Sequence, residues 1–112
     1  MSIEKLRVIT DFEKLSIELQ EQLKLVYPDG YSQHLISFRN KNNEKVSALP
    51  FETFEKIYLV RMTSERAEEI IERDSDYDNE GNLKENIREK YEDDYADIDY
   101  LSENDNYDDD DD

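Results

Sequence analysis

The chain has 112 residues, with 31 Asp and Glu against 14 Lys and Arg, a formal net charge of -17 and no cysteine. That length leaves room for one small domain. The missing cysteine excludes disulfides and thiolate metal sites, and the charge opposes direct attraction of the whole molecule to nucleic-acid phosphates or anionic lipid.

The charge is unevenly placed. Met1 to Arg73 carries 13 acids and 11 bases, a net of -2, whereas Asp74 to Asp112 carries 18 acids and 3 bases, a net of -15. The division predicts a compact front domain over residues 1–73 and an acidic, tyrosine-rich tail over 74–112. At the N-terminus, MSIEKLRVITDFEK is charged every few residues, which interrupts any apolar run of signal-peptide or membrane-spanning length. A cytoplasmic, soluble protein without membrane contact is the expectation.

Lys5 to Ile9 reads as a strand or an extended lead-in. Thr10 and Glu13 stand at capping-box spacing, and Ser16 offers a second helix start. Leu19, Leu23, Val26 and Tyr27 then form a helical stripe that Pro28, Asp29 and Gly30 stop. HLISFRN alternates with the period of a half-buried strand, KNNEK is a polar turn, VSALPFE is a second strand with Pro50 marking an edge or bulge, and KIYLVRM is a third. Thr63 or Ser64 can cap a helix through Arg73 whose apolar face is Ala67, Ile70 and Ile71. The fold class predicted is α+β: a three-stranded antiparallel meander flanked by two helices, followed by an acidic helical and disordered C-terminal tail. Within the tail, Leu83, Ile87, Tyr91, Tyr95 and Ile98 recur at helical spacing, so a helix is expected over about 82–95 and disorder after about 101.

The stretch DFEKLSIELQEQLKLVYPDGYSQHLISF, with ALPFET and KIYLVRM after it, resembles a family of short, acidic, uncharacterised proteins of the Bacteroidetes group over roughly residues 1–73. Some members carry a DNA primase label, which these residues do not support. A primase of the bacterial kind needs a zinc module of cysteines and histidine, and this chain has no cysteine and one histidine. Its Asp-x-Asp pairs, Asp74 with Asp76 and Asp76 with Asp78, lie in the acidic rear.

Nothing in the sequence reads as an enzyme. Only Gly30 and Gly81 are present, so neither a phosphate-binding loop nor a dinucleotide fingerprint can be written. His34 lacks a nucleophile and an orienting acid in its sequence context. In DYDNEGNL, Asp76, Asp78 and Glu80 take positions 1, 3 and 5 of a calcium loop and Gly81 position 6. Position 12 is Ile87 rather than a bidentate glutamate, which leaves at most a weak calcium or magnesium site and otherwise no cofactor. Arg39, Lys41 and Lys45 cluster at the hairpin turn beside Phe38, a basic rim of the kind that tracks phosphate while a ring stacks on a base. In the tail, Tyr77, Tyr91, Tyr95, Tyr100 and Tyr107 are interspersed with carboxylates, ending in Asp108, Asp109, Asp110, Asp111 and Asp112. Rings and charges in that arrangement imitate nucleic acid and suit a basic protein surface on a nucleic-acid-handling machine. The function expected is therefore a non-enzymatic interaction protein acting through its tail. The alternative is a weak nucleic-acid-binding module inhibited by that tail, and a third reading is a cation-responsive switch.

Overall fold

In the computed structural model, residues 5–101 are described. They form an α+β fold of four strands and three α-helices: β1 (Leu6–Asp11), α1 (Ile17–Val26), β2 (Ile36–Arg39), β3 (Lys45–Glu52), β4 (Lys56–Arg61), α2 (Ser64–Arg73) and α3 (Glu85–Asp94). The strand order is β1-β4-β3-β2. Strands β2, β3 and β4 make the expected antiparallel meander, but β1 adds to β4 in parallel, so the sheet is mixed and four-stranded rather than a three-stranded antiparallel one. A parallel neighbour requires a crossover, and here α1, β2 and β3 all intervene before β4 supplies the partner. Lys5 fastens the start of β1, its Nζ lying 2.5 Å from Glu52 Oε2 and 2.8 Å from the Thr53 carbonyl.

Helix α1 begins at Ser16, whose Oγ accepts from the Leu19 amide at 3.1 Å. Thr10 belongs to β1, and the Phe12–Lys14 segment is a single 3-10 turn, so the capping-box spacing marks no helix. The helix stops at Tyr27, and Gly30 takes the positive φ of 102° that the reversal requires. Thr63 Oγ1 caps α2 by accepting from the Arg66 amide. Strand β2 pairs with β3 only as far as Ala48, so β3 is locally an edge at Pro50. The Pro50 carbonyl there accepts from the Tyr27 hydroxyl at 2.6 Å.

All three helices lie on one face of the sheet. Leu49, Phe51 and Val60 point into that layer and meet Leu23, Tyr27, Tyr31, Met62, Ala67, Ile70 and Ile71. The same cluster takes in Tyr77, Leu83 and Tyr100, so residues 74–101 complete the core of the front part rather than forming a separate tail. The expected disorder after about residue 101 falls outside the described residues. Among the described residues no helix is long and apolar enough to cross a membrane.

Candidate functional site

Two surfaces of opposite character emerge from this arrangement, one on the helical layer and one on the sheet face away from the helices. What ties α1, the loop after α2 and α3 to one another is a buried ionic network. Lys24 sits in the apolar run QLKLV and is 9% exposed. Its Nζ lies 2.8 Å from Asp74 Oδ2 and 2.7 Å from Asp76 Oδ2, and the Tyr91 hydroxyl donates to Asp76 Oδ2 at 2.7 Å. Burial alone lowers an ammonium pKa, but the two carboxylates outweigh it and Lys24 is shifted upward. In the same way burial opposes the charge on Asp76, while Lys24 and Tyr91 prevail and hold its carboxyl below the ordinary aspartate range.

This geometry corrects the calcium-loop reading. Asp76 is taken by Lys24 and Tyr91, and Asp78 Oδ1 accepts the backbone N-H groups of Glu80 and Asn82 to shape its own turn. Glu80 is exposed, and among the described residues no group of three or more His, Asp or Glu side chains could hold a metal ion.

Three of the five tail tyrosines are buried and a fourth is half-buried. Tyr77 is 5% exposed and donates to the Tyr27 carbonyl at 3.0 Å; Tyr100 packs its ring against Phe51 and Phe54 and donates to Gln22 Oε1 at 2.5 Å. Tyr91 is buried on Asp76, and the half-buried Tyr95 donates to Glu21 Oε1 at 2.6 Å. Burial first, and the bonded carboxylates next, push the Tyr91 and Tyr95 hydroxyls upward in pKa. These rings hold α3 and the 74–84 loop on the domain and are not displayed to a partner. Tyr107 and Asp108 to Asp112 lie outside the described residues.

With the rings inside, the outer side of the helical layer carries carboxylates in excess over Arg66, Arg73, Arg88 and Lys90, which are themselves paired with Glu13, Glu69, Glu92 and Asp94. Glu65, Glu68 and Glu72 on α2 and Glu85, Glu89 and Asp93 on α3 are all exposed. Among the described residues none of the six forms an ion pair, whereas Glu69 bridges Arg66 and Arg73. A cleft of about 460 Å³ opens beside α2, with Tyr31 and Tyr77 among its lining residues and Asp29, Glu68, Glu72 and Glu80 supplying carboxylates.

The sheet face away from the helices is the second surface, with Ala48, Pro50 and Leu59 buried along its middle and Ile9 and Ile36 exposed at its margins. Cross-strand register places Ile9, Leu59 and Pro50 in one row, Asp11, Arg61, Ala48 and Ile36 in the next, and Val46 with Phe38 beyond. None of these side chains joins the core cluster. Of the expected basic rim, Phe38, Arg39 and Lys41 line shallow clefts on this face together with Arg7, Ile9 and Arg61. Lys45 is exposed opposite Arg39 in the ladder and lines neither cleft. The hairpin that carries them is set by Asn40, whose Oδ1 accepts from the Asn42 and Glu44 amides, and by Asn43 at a φ of 63°. Sequence reasoning missed Arg7, Ile9, Ile36 and Arg61. Its available signal was the nearly unbroken apolar run in SALPF and IYLV, which puts apolar side chains on both faces of the sheet. His34 ends a 3-10 turn with Nε2 3.1 Å from Asp29 Oδ1 and its ring 5.0 Å from that of Tyr27.

The sequence matches no family model, no curated protein and no solved structure. The Bacteroidetes resemblance rests on the quoted residues alone.

Proposed function

We propose that this chain is a non-enzymatic interaction protein whose acidic helical layer engages or shields a basic surface of a nucleic-acid-handling partner, by mimicry of nucleic acid or by tethering. The observation that supports it most is the row Glu65, Glu68 and Glu72, exposed and without ion-pair partners among the described residues. Residues at these spacings on a helix have Cβ atoms about 5–6 Å apart. Their charges are thus presented at fixed intervals by a helix whose other side is pinned through Ala67, Ile70 and Ile71. A flexible acidic strand would have to be ordered on binding, whereas this row loses little freedom. The tyrosines leave the binding role and become the means of fixing the carboxylates.

The test is capture from lysate of the source at low salt after nuclease treatment, with intact chain and with the Glu65→Gln, Glu68→Gln, Glu72→Gln variant. A basic protein is expected on the intact chain, released by added duplex DNA and by salt, because attraction between exposed charges is screened within about 10 Å at 0.1 M. The variant is expected to retain at least tenfold less. Equal retention by both chains, or retention indifferent to salt and DNA, contradicts the proposal.

A further inference from the structure

We infer that the open edge of β1 is a self-association surface, on which a second copy of this chain docks its own β1 antiparallel about a two-fold axis at Ile9. Strand β1 ends the sheet, and among the described residues it pairs with β4 alone. The Leu6 amide bonds the Glu55 carbonyl at 3.1 Å, so Leu6, Val8 and Thr10 turn their backbone groups toward β4. By the alternation of a strand, Arg7, Ile9 and Asp11 turn theirs outward. Such a row is a template for another strand, and folds blunt it with proline, a bulge or a very short edge. LRVITD is six residues long, has no proline and keeps an unbroken register with β4. Leu6 on it is 64% exposed and Ile9 47%. The opposite edge is blunted, because β2 spans four residues and ends in Arg39.

The outward residues limit the registers. Residues that exchange both backbone bonds across an antiparallel pair must come from the outward set on both strands. Of those registers, the one that sets Ile9 opposite Ile9 also sets Arg7 opposite Asp11 of the second copy, and the reverse. A shift one way puts Arg7 opposite Ile9 or itself, and a shift the other way does the same for Asp11. Opposite charges at facing positions stabilise a sheet and like charges oppose it. Arg61 holds Asp11 through Oδ1 at 3.0 Å, while Oδ2 meets Lys14 Nζ at 3.9 Å, beyond hydrogen-bond reach, which leaves an acceptor for the incoming guanidinium. A two-fold contact requires a surface that matches itself. Charges of opposite sign two residues either side of an exposed isoleucine meet that condition, and this self-match selects a second copy over a strand of another protein. Facing residues of an antiparallel pair share one side of the sheet, so the two four-stranded sheets become continuous with both helical layers on the same side. The edge is short and each copy carries a net charge of -17. The contact therefore falls below the roughly 1,200–2,000 Å² of a tight interface, and a dissociation constant on the order of 100 μM is expected. This inference stands on β1 and goes beyond the proposed role of the helical layer; either can fail alone.

The test is sedimentation equilibrium of the full-length chain at about 0.5 M NaCl, where repulsion between the copies is screened. The weight-average mass is expected to climb from 13.4 kDa toward twice that value as concentration rises from about 10 μM to about 1 mM. Ile9→Pro removes an N-H that points away from β4, a position where an edge strand tolerates proline. That variant is expected to stay at the monomer mass with its urea midpoint unchanged. Where it fails to fold, Ile9→Lys, which sets like charges across the two-fold, carries the same expectation. Cysteine reads the register, the chain having none of its own. Facing Cα atoms lie about 5.5 Å apart, within disulfide reach, so Ile9→Cys is expected to oxidise to a covalent dimer, whereas Arg7→Cys and Asp11→Cys cross-link only when mixed. A constant monomer mass for the intact chain overturns the inference and leaves the edge to a strand of another protein. A dimer that persists in both Ile9 variants, or Arg7→Cys alone cross-linking as fast as Ile9→Cys, overturns it as well.

Discussion

Replacing Lys24 by alanine is expected to destabilise the chain by about 3–5 kcal/mol, the range for removing one partner of a buried ionic network. Among the described residues the ammonium alone forms ion pairs with the two carboxylates, each 18% exposed, and without it Asp74 and Asp76 lose their paired charge in a largely dry site. With total stability of about 5–15 kcal/mol in proteins generally, the loss shifts a urea midpoint far toward zero while leaving the slope unchanged. The combination Lys24→Met, Asp74→Asn and Asp76→Asn is expected to recover most of it, since the penalty lies in unpaired charge rather than in lost volume. A loss under about 1 kcal/mol would place the network with ordinary surface ion pairs.

The same network fixes a pH window. Asp76 is lowered in the folded state, so its contribution is complete above the ordinary aspartate range and disappears as pH falls through the lower native value. Lys24 is raised, so its contribution is complete below the ordinary lysine range and is lost only as pH climbs through the native value above it. Stability from this site is accordingly flat through neutrality and falls away in acid below about pH 4.

The second large effect is expected at Tyr77. Tyr77→Ala empties a site beside Tyr31, whose ring centre is 6.3 Å away, and strips a buried bond from the Tyr27 carbonyl. A loss of about 3–5 kcal/mol follows from the cavity, and Tyr77→Phe, which removes only the hydroxyl, is expected to lose about 1–2 kcal/mol. Denaturant titration of the two variants reads both values. Were Tyr77 part of a solvated tail, neither substitution would move the midpoint.

That contrast shows where sequence and structure part company. The α+β class, the β2–β3–β4 meander and helices α1 and α2 were legible because each has its own period and its own punctuation, such as Ser16 and Thr63 before helices and Pro28 with Gly30 after one. Strand β1 was half legible: Lys5 to Ile9 reads as a strand or an extended lead-in, but the partner β4 lies some fifty residues away, and no local pattern records a parallel pairing across that distance. The acidic rear misled through composition. Carboxylates flank every ring, so Tyr77 and Tyr100 looked solvated, although the four-residue spacing of Leu83, Ile87, Tyr91 and Tyr95 already described a face that wanted burial. Lys24 was hidden for the opposite reason, since a lysine in an apolar stripe reads as a snorkelling side chain until Asp74 and Asp76 are folded over it. On the sheet, Phe38, Arg39 and Lys41 were found from the hairpin, while Arg7 and Arg61 came to the same surface only through the strand order.

The functional account depends on residues 74–101 being a fixed part of the folded body, so that their rings point inward and their charges outward. Native-state hydrogen exchange on the intact chain tests this most directly, read at the amides of Arg88 and Tyr95, which are bonded to the Lys84 and Tyr91 carbonyls, and compared with those of the core strands β3 and β4. Protection of at least about 100-fold at both helix amides, abolished together with that of Val60 by Lys24→Ala, is the predicted result. Exchange of Arg88 and Tyr95 at the rate of an unstructured chain while Val60 stays protected would contradict the account and return the acidic rear to the status of a tail.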